Sequence, residues 1–182
     1  MAAITNIWLL TLKDDHALGE EAFRTLWQRI LSTSAAYTPG LNPAHTLWQS
    51  EDDAAHLAFI TGFPSLEIYR EADEKYTEEY MKPAFKLMDY QQRIMLHLNV
   101  HKLPLASDRI TIVQSKTQPG DDAPGAGGRD VQADLNLPEG QVENGEKGQW
   151  IHFAPSKEAA SLSSLGTTER YKRIMEAHYN SE

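Results

Sequence analysis

AHTLWQS (44–50), EDDAA (51–55), HLAFITGF (56–63), PSLEIYREADEKYTEEYMKPAFKLMD (64–89) and RIMLHLNVHKL (93–103) form the stretch whose reading decides the fold. The first and third segments are rich in β-branched and aromatic residues and flank a short acidic turn, the pattern of a hairpin. The fourth carries Ile68, Tyr69, Ala72, Tyr76, Tyr80 and Met81 at helical spacing. Ser65 is placed to cap its start, and Pro83 should kink or restart it. The last segment alternates. Ile94, Leu96, Leu98 and Val100 point one way, while Met95, His97, Asn99 and His101 point the other. Two histidines and an amide behind an apolar strand are candidates for lining a pocket.

Upstream, Ile4 to Leu12 reads as a strand with apolar residues on both faces: Ile7 and Leu9 on one, Trp8, Leu10 and Leu12 on the other. Such a strand is buried on both sides. A helix is expected over about 19–37, where Phe23, Leu26, Trp27, Ile30 and Leu31 make one stripe, and Pro39-Gly40 ends it. The order strand, helix, strand, strand, helix, strand is the split βαβ unit of ferredoxin-like folds. Its helices cover one face of the sheet, so the other face needs a second cover, and a partner sheet is the simplest.

Downstream, 109–116 and the segment QWIHFAP read as strands. Residues 118–148, rich in Gly, Pro, Asp and Glu, read as a mobile loop with one short strand near 131–137, and 163–179 as a helix. FITGFPSLE and IHFAPSKE share a strand followed by Pro-Ser, and KYTEEYM resembles ERYKRIM. We read this as an internal repeat whose second copy has lost most of its first helix. The division is then a ferredoxin-like half-barrel over 1–105 and a degenerate second half over 106–182, packed on the first.

The chain has 182 residues, no cysteine and a formal net charge of −9. Absence of cysteine excludes disulfides, thiol nucleophiles and zinc–thiolate sites. The negative balance, without a basic stripe, argues against nucleic acid and anionic membrane as partners. No leader-like or membrane-spanning segment stands out, and a soluble, cytoplasmic protein is expected. No nucleophile elbow, dinucleotide-binding glycine pattern or metal-binding motif occurs.

Trp48 with Ser50-Glu51-Asp52, Gly62-Phe63-Pro64-Ser65, Met95-Leu96-His97-Leu98 and Leu103-Pro104-Leu105 resemble the dimeric α+β barrel superfamily. The resemblance is to its antibiotic-biosynthesis-monooxygenase-like and stress-responsive branches, and to fungal proteins that fuse two half-barrels. It covers about 4–105 well, and 109–117 and 149–179 only faintly. It implies an α+β fold, a ferredoxin-like barrel. Family members often carry Trp where this chain has Phe63 and His where it has Tyr69, so a role held by that histidine does not transfer. Similar folds host cofactor-free oxygenases, cyclases, decarboxylases, isomerases and haem-degrading enzymes, so the fold does not choose an activity.

The residues themselves nominate His97 as general acid or base, since imidazole titrates near neutral pH, with Asn99 as a carbonyl or oxyanion donor and Tyr69 as a second polar contact. Trp48, Tyr76, Tyr80, Tyr90, Met95, His101 and His152 are the candidate substrate contacts. Packing is the commoner role for such tyrosines and tryptophans, and a hydrogen-bonded core position for such histidines. His16, His45 and His178 read as exposed. The expected function is proton transfer leading to cyclisation, isomerisation or elimination, with no cofactor and no metal; the resemblance to fungal proteins of natural-product pathways implies a hydrophobic polyketide- or terpenoid-like substrate in secondary metabolism. A cofactor-free monooxygenase of an electron-rich phenol, and a non-catalytic ligand-binding or stress-associated barrel, remain the alternatives. The expected partner is a small-molecule substrate, with a homodimer possible.

Overall fold

The computed structural model describes residues 3–40, 44–131 and 149–177. Ten regular elements follow in chain order: β1 (Ile4–Leu12), α1 (Glu21–Ala36), β2 (His45–Ser50), β3 (His56–Phe63), α2 (Leu66–Leu87), β4 (Met88–Leu96), β5 (Arg109–Ser115), β6 (Ala126–Arg129), β7 (Trp150–Pro155) and β8 (Thr167–Ala177). All eight strands join one antiparallel sheet in the order β4-β1-β3-β2-β8-β5-β7-β6. The order of the first four is repeated by the last four, each number raised by four. This is the repeat that the Pro-Ser junctions announced.

The sheet curls until its edges touch. Leu96 of β4 bridges Asp130, just past β6. The Val131 amide donates to the Met95 carbonyl at 2.8 Å, and the Met95 amide to Asp130 Oδ1 at 3.2 Å. Strand alternation then gives every strand an inner and an outer face. Ile7, Trp48, Ile60, Ile94, Ile112 and Phe153 fill the interior, and Leu103 and Leu105 pack with them. The second cover expected for the ferredoxin-like sheet is therefore the other half of the same sheet.

The two helices lie on the outer face of the first half. The α1 stripe of Phe23, Leu26, Trp27, Ile30 and Leu31 meets Trp8, Leu10, Leu12 and Phe59. Ser65 caps α2, its hydroxyl accepting from the Ile68 amide. The helix runs through Pro83 and ends directly in β4.

Three expectations need correction. Residues 167–177 form strand β8 rather than a helix, because the segment pairs on both sides, with β2 and with β5. Two ladders of non-local hydrogen bonds outweigh the helical propensity of ERYKRIM. Its likeness to KYTEEYM in α2 is thus no part of the repeat. Second, no helix covers the second half among the described residues; a short 3-10 turn, Ala159–Leu162, stands where the α2 counterpart would be. Third, part of the supposed loop is strand β6, AGGR, which pairs with β7. Its glycine is needed for close approach: a Cβ on Gly127 would lie 2.3 Å from the Ile151 carbonyl oxygen. The strand expected near 131–137 lies outside the described residues.

Candidate active site beneath the second helix

The outer face of the first half-sheet carries polar side chains where α2 crosses it. Asn6 stands between Ile4 and Trp8 on β1, Thr61 between Phe59 and Phe63 on β3, and Arg93 two residues before Met95 on β4. Helix α2 turns Tyr69, Ala72, Asp73 and Tyr76 toward them. Asn6, Trp8, Thr61 and these α2 residues, with Ser34 of α1, Phe59 and Phe63, line a small, partly open cavity, with Arg93 behind its lining. The part of it wide enough for a solvent atom holds about one water molecule.

Asp73, in its wall, forms an ion pair with Arg93. Arg93 Nη2 donates to Asp73 Oδ1 at 2.9 Å, with the side chains 6% and 10% exposed. Arg93 Nε donates to Asn6 Oδ1 at 3.3 Å. The guanidinium lies over the ring of Tyr69 at 5.3 Å and over Trp8 at 5.4 Å. Trp8 in turn meets Tyr76 edge-on at 5.0 Å and Tyr90 at 5.5 Å. This clamp fixes the guanidinium plane. Burial pushes the Asp73 carboxyl up to about 6. Arg93 keeps an ionised form available to it, so both protonation states are accessible near neutral pH. Burial, with the Asp73 charge nearby, raises the Tyr76 phenol, which stays protonated.

Two polar atoms of the lining residues are buried without a partner: Tyr69 Oη and Trp8 Nε1. The indole N–H can only donate, and the phenol can donate as well. An orphaned buried donor costs about 1–3 kcal/mol. The cavity therefore offers surplus hydrogen-bond donors beside a carboxyl that titrates near neutrality. That arrangement can take a proton from a carbon and hold the resulting oxygen anion.

Of the residues the sequence nominated, Tyr69 and Tyr76 line this cavity. Tyr90 and Met95 stand behind it, Tyr90 against Trp8 and Met95 in a cluster with Tyr69. Tyr80 packs between the helices, its hydroxyl 2.7 Å from Thr33 Oγ1. The rest lie elsewhere. His97, Asn99 and His101 are exposed, because β4 ends at Leu96, where the sheet closes. The chain then turns over the barrel mouth, the Leu98 carbonyl accepting from the Thr5 hydroxyl and the Asn99 side chain from the His101 amide. The alternation is real but stops one residue before His97. Trp48 points into the barrel interior, its indole donating to Thr46 Oγ1 at 2.8 Å. His152 lies on the outer face of β7, against the Pro124 carbonyl at 2.8 Å, away from the cavity. His45, expected at the surface, is 1% exposed, and burial lowers it to about 3.

Asn6, Asp73 and Arg93 escaped the sequence reading, yet each left a signal. Asp73 sits four residues after Tyr69, an acid inside an aromatic stripe. Extending the β4 alternation one step back from Met95 reaches Arg93. A further polar depression lies around Glu51, Arg109, Lys157 and Arg170, where Arg109 pairs with Glu51 and Arg170 with Asp52.

No family profile and no curated protein matches the sequence. Solved structures do match the fold. A provisionally assigned chlorite dismutase superposes with a TM-score of 0.55 at 10% identity, over 96% of each chain. A provisionally assigned monooxygenase of Lactobacillus acidophilus gives 0.53 at 8% identity, over 97% of this chain and 96% of that one. Another from Fusobacterium nucleatum gives 0.50 at 6% identity, over 94% and 91%. At these identities the likeness is one of fold. This chain is an α+β protein whose curled antiparallel sheet and two helices match the ferredoxin-like barrel fold of these neighbours. No helix among the described residues is long and apolar enough to cross a membrane.

Proposed function

We propose that this protein is a small-molecule enzyme that moves a proton on an oxygenated, largely apolar substrate, a polyketide- or terpenoid-like carbonyl compound, in the cavity beneath α2. The observation that carries the reading is the pair of unpartnered buried donors, Tyr69 Oη and Trp8 Nε1, on residues that line the same wall as Asp73, the partner of Arg93. The Asp73 carboxylate removes a proton from the carbon next to a carbonyl. The C–H electron pair forms the new C=C bond, the carbonyl π pair moves to oxygen, and the enolate so formed receives hydrogen bonds from Trp8 and Tyr69. The Arg93 guanidinium lies close enough to favour that charge. Return of the proton to another carbon isomerises the substrate, expulsion of a β-hydroxyl eliminates water, and attack on a second carbonyl closes a ring. Admission of a carbon skeleton requires α2 to part from the sheet, as lids over buried sites do.

The experiment is deuterium uptake from D2O into the methyl group of acetophenone, followed by proton NMR. Uptake above the buffer rate, lost in Asp73→Asn and reduced in Tyr69→Phe, supports the proposal. Uptake equal to buffer, or undiminished in Asp73→Asn, overturns it. A second reading draws on the two neighbours provisionally assigned as monooxygenases. There Asp73 deprotonates an electron-rich phenol, and the phenolate reduces oxygen. Oxygen consumption with an anthrone-type substrate, compared with an anaerobic reaction, separates the two.

A further inference from the structure

Asn6 of β1 lines the cavity and is 3% exposed, and only one orientation of its side-chain amide fits its surroundings. Arg93 Nε meets that amide at 3.3 Å. A guanidinium nitrogen donates and never accepts, so the atom facing it is the carbonyl oxygen Oδ1, and the amino group Nδ2 points away from Arg93. Nδ2 carries two N–H donors, and among the described residues no acceptor meets them. The Thr61 hydroxyl on the neighbouring strand donates to the Asn6 main-chain carbonyl at 3.2 Å. The same guanidinium donates to Asp73 Oδ1 at 2.9 Å and lies against the rings of Trp8 and Tyr69. One clamped cation therefore holds both an amide donor and the carboxyl of the cavity wall.

We infer that Asn6 is a further catalytic residue of this site: its Nδ2 donates a hydrogen bond to the carbonyl oxygen of the substrate. Arg93 is the positioning residue that turns the donor side of the amide toward the substrate and keeps it beside the base. The inference rests on the site proposed above and adds a donor to it. A neutral amide suits that place. It does not titrate, so it donates at every pH at which Asp73 works. Its hydrogen bond strengthens as negative charge builds on the oxygen, and a donor already held in place needs no reorganisation during the reaction.

The test uses Asn6→Asp in the full-length protein, which keeps the side-chain shape and the acceptor for Arg93 and removes the donor. Deuterium uptake into acetophenone should fall about 100-fold in kcat, the scale of one lost oxyanion donor, while KM changes by less than about threefold. The new carboxylate also faces Arg93, and Arg93, Tyr69 and Tyr76 are the titratable groups set around Asp73. A loss that came only from altered ionisation of Asp73 would recover as pH is raised; a lost donor lowers the rate at every pH. A second measurement needs no variant and decides the matter if Asn6→Asp does not fold. Acetophenone should shift the Asn6 side-chain amide signals in nitrogen–proton NMR, and ethylbenzene, the same skeleton without the oxygen, should not. An undiminished kcat, recovery of the rate at high pH, or an amide that answers both probes alike overturns the inference, and uptake lost in Asp73→Asn leaves the proposed function standing without it. If the protein exchanges nothing yet the amide answers acetophenone alone, the donor contact stands and the proton transfer falls. If it neither exchanges nor shifts the amide, both fall.

Discussion

The two halves of this barrel share a strand order and differ in what lies over it. β1–β4 and β5–β8 pair in the same permutation, and each half reaches the same Pro-Ser junction after its third strand. After Pro64 the chain makes the 22-residue helix α2; after Pro155 it makes a 3-10 turn whose Ala159 and Leu162 sit directly on Val113 and Ala154. A helix stands about 10 Å off a sheet and leaves room for Asn6, Arg93 and Asp73 between the layers. A turn with small side chains lies flat and leaves none. The comparison teaches that the sheet is the scaffold in both halves and that the helical layer creates the candidate site in one.

The strongest way to break the comparison is to dislodge β6 from β7, and with it the closure against β4. Gly127→Val places a side chain into the β7 backbone, and we expect a loss of more than about 3 kcal/mol in chemical denaturation. Gly128→Ala is the control. Its Cβ would find Leu96 at 3.7 Å, an ordinary contact, and should cost less than about 1 kcal/mol.

Two buried groups of the first half, His45 and Asp73, pull in opposite directions. His45 is held at about 3, below its unfolded value, so the unfolded chain binds the extra proton on acidification. Its contribution is full above about pH 6.5 and declines as pH falls toward 3, by roughly 3 kcal/mol between pH 7 and pH 4. His45→Phe should remove that share of the acid sensitivity, read as the difference in unfolding free energy between the two pH values.

Asp73 does the reverse. Its folded value of about 6 exceeds the unfolded one, so the native state holds the proton that the unfolded chain releases. Relative to Asp73→Asn, the unsubstituted protein should gain roughly 2 kcal/mol on passing from pH 7 to pH 4, most of it below pH 6. A difference that stays constant with pH would mean that Arg93 keeps the carboxyl ionised throughout.

The smallest effect sharpens the comparison at the matching junctions. Ser65→Ala removes the cap of α2 and should cost about 1 kcal/mol. Ser156→Ala at the same place in the second half caps no helix and loses only a bond from Thr111, so less than about 0.5 kcal/mol is expected.

Local pattern made the first half legible. The α1 stripe, the hairpin, the Ser65 cap and the two-sided strand β1 all follow from spacing, because each satisfies a period of 2 or 3.6 within one element. The second half resisted for the same reason. β8 has no local signature stronger than its helical one, and β6 is a glycine run that reads as loop until β7 is placed beside it. Both are strands only through partners distant in the chain.

The candidate site divides along that line too. The sequence by itself determined that Tyr69 and Tyr76 face inward on a long helix, and that β4 presents a polar side behind an apolar one. Only the tertiary structure decided which polar residues those are. Where β4 leaves the sheet is set by barrel closure at Leu96 and Asp130, a contact between residues 34 positions apart. That closure puts His97 in solvent, leaves Arg93 beneath α2 to meet Asp73, and fixes the candidate chemistry on a carboxyl and two orphaned donors rather than on an imidazole. Periodicity tells which way a side chain points, whereas burial and partnership depend on what the rest of the chain brings to that side.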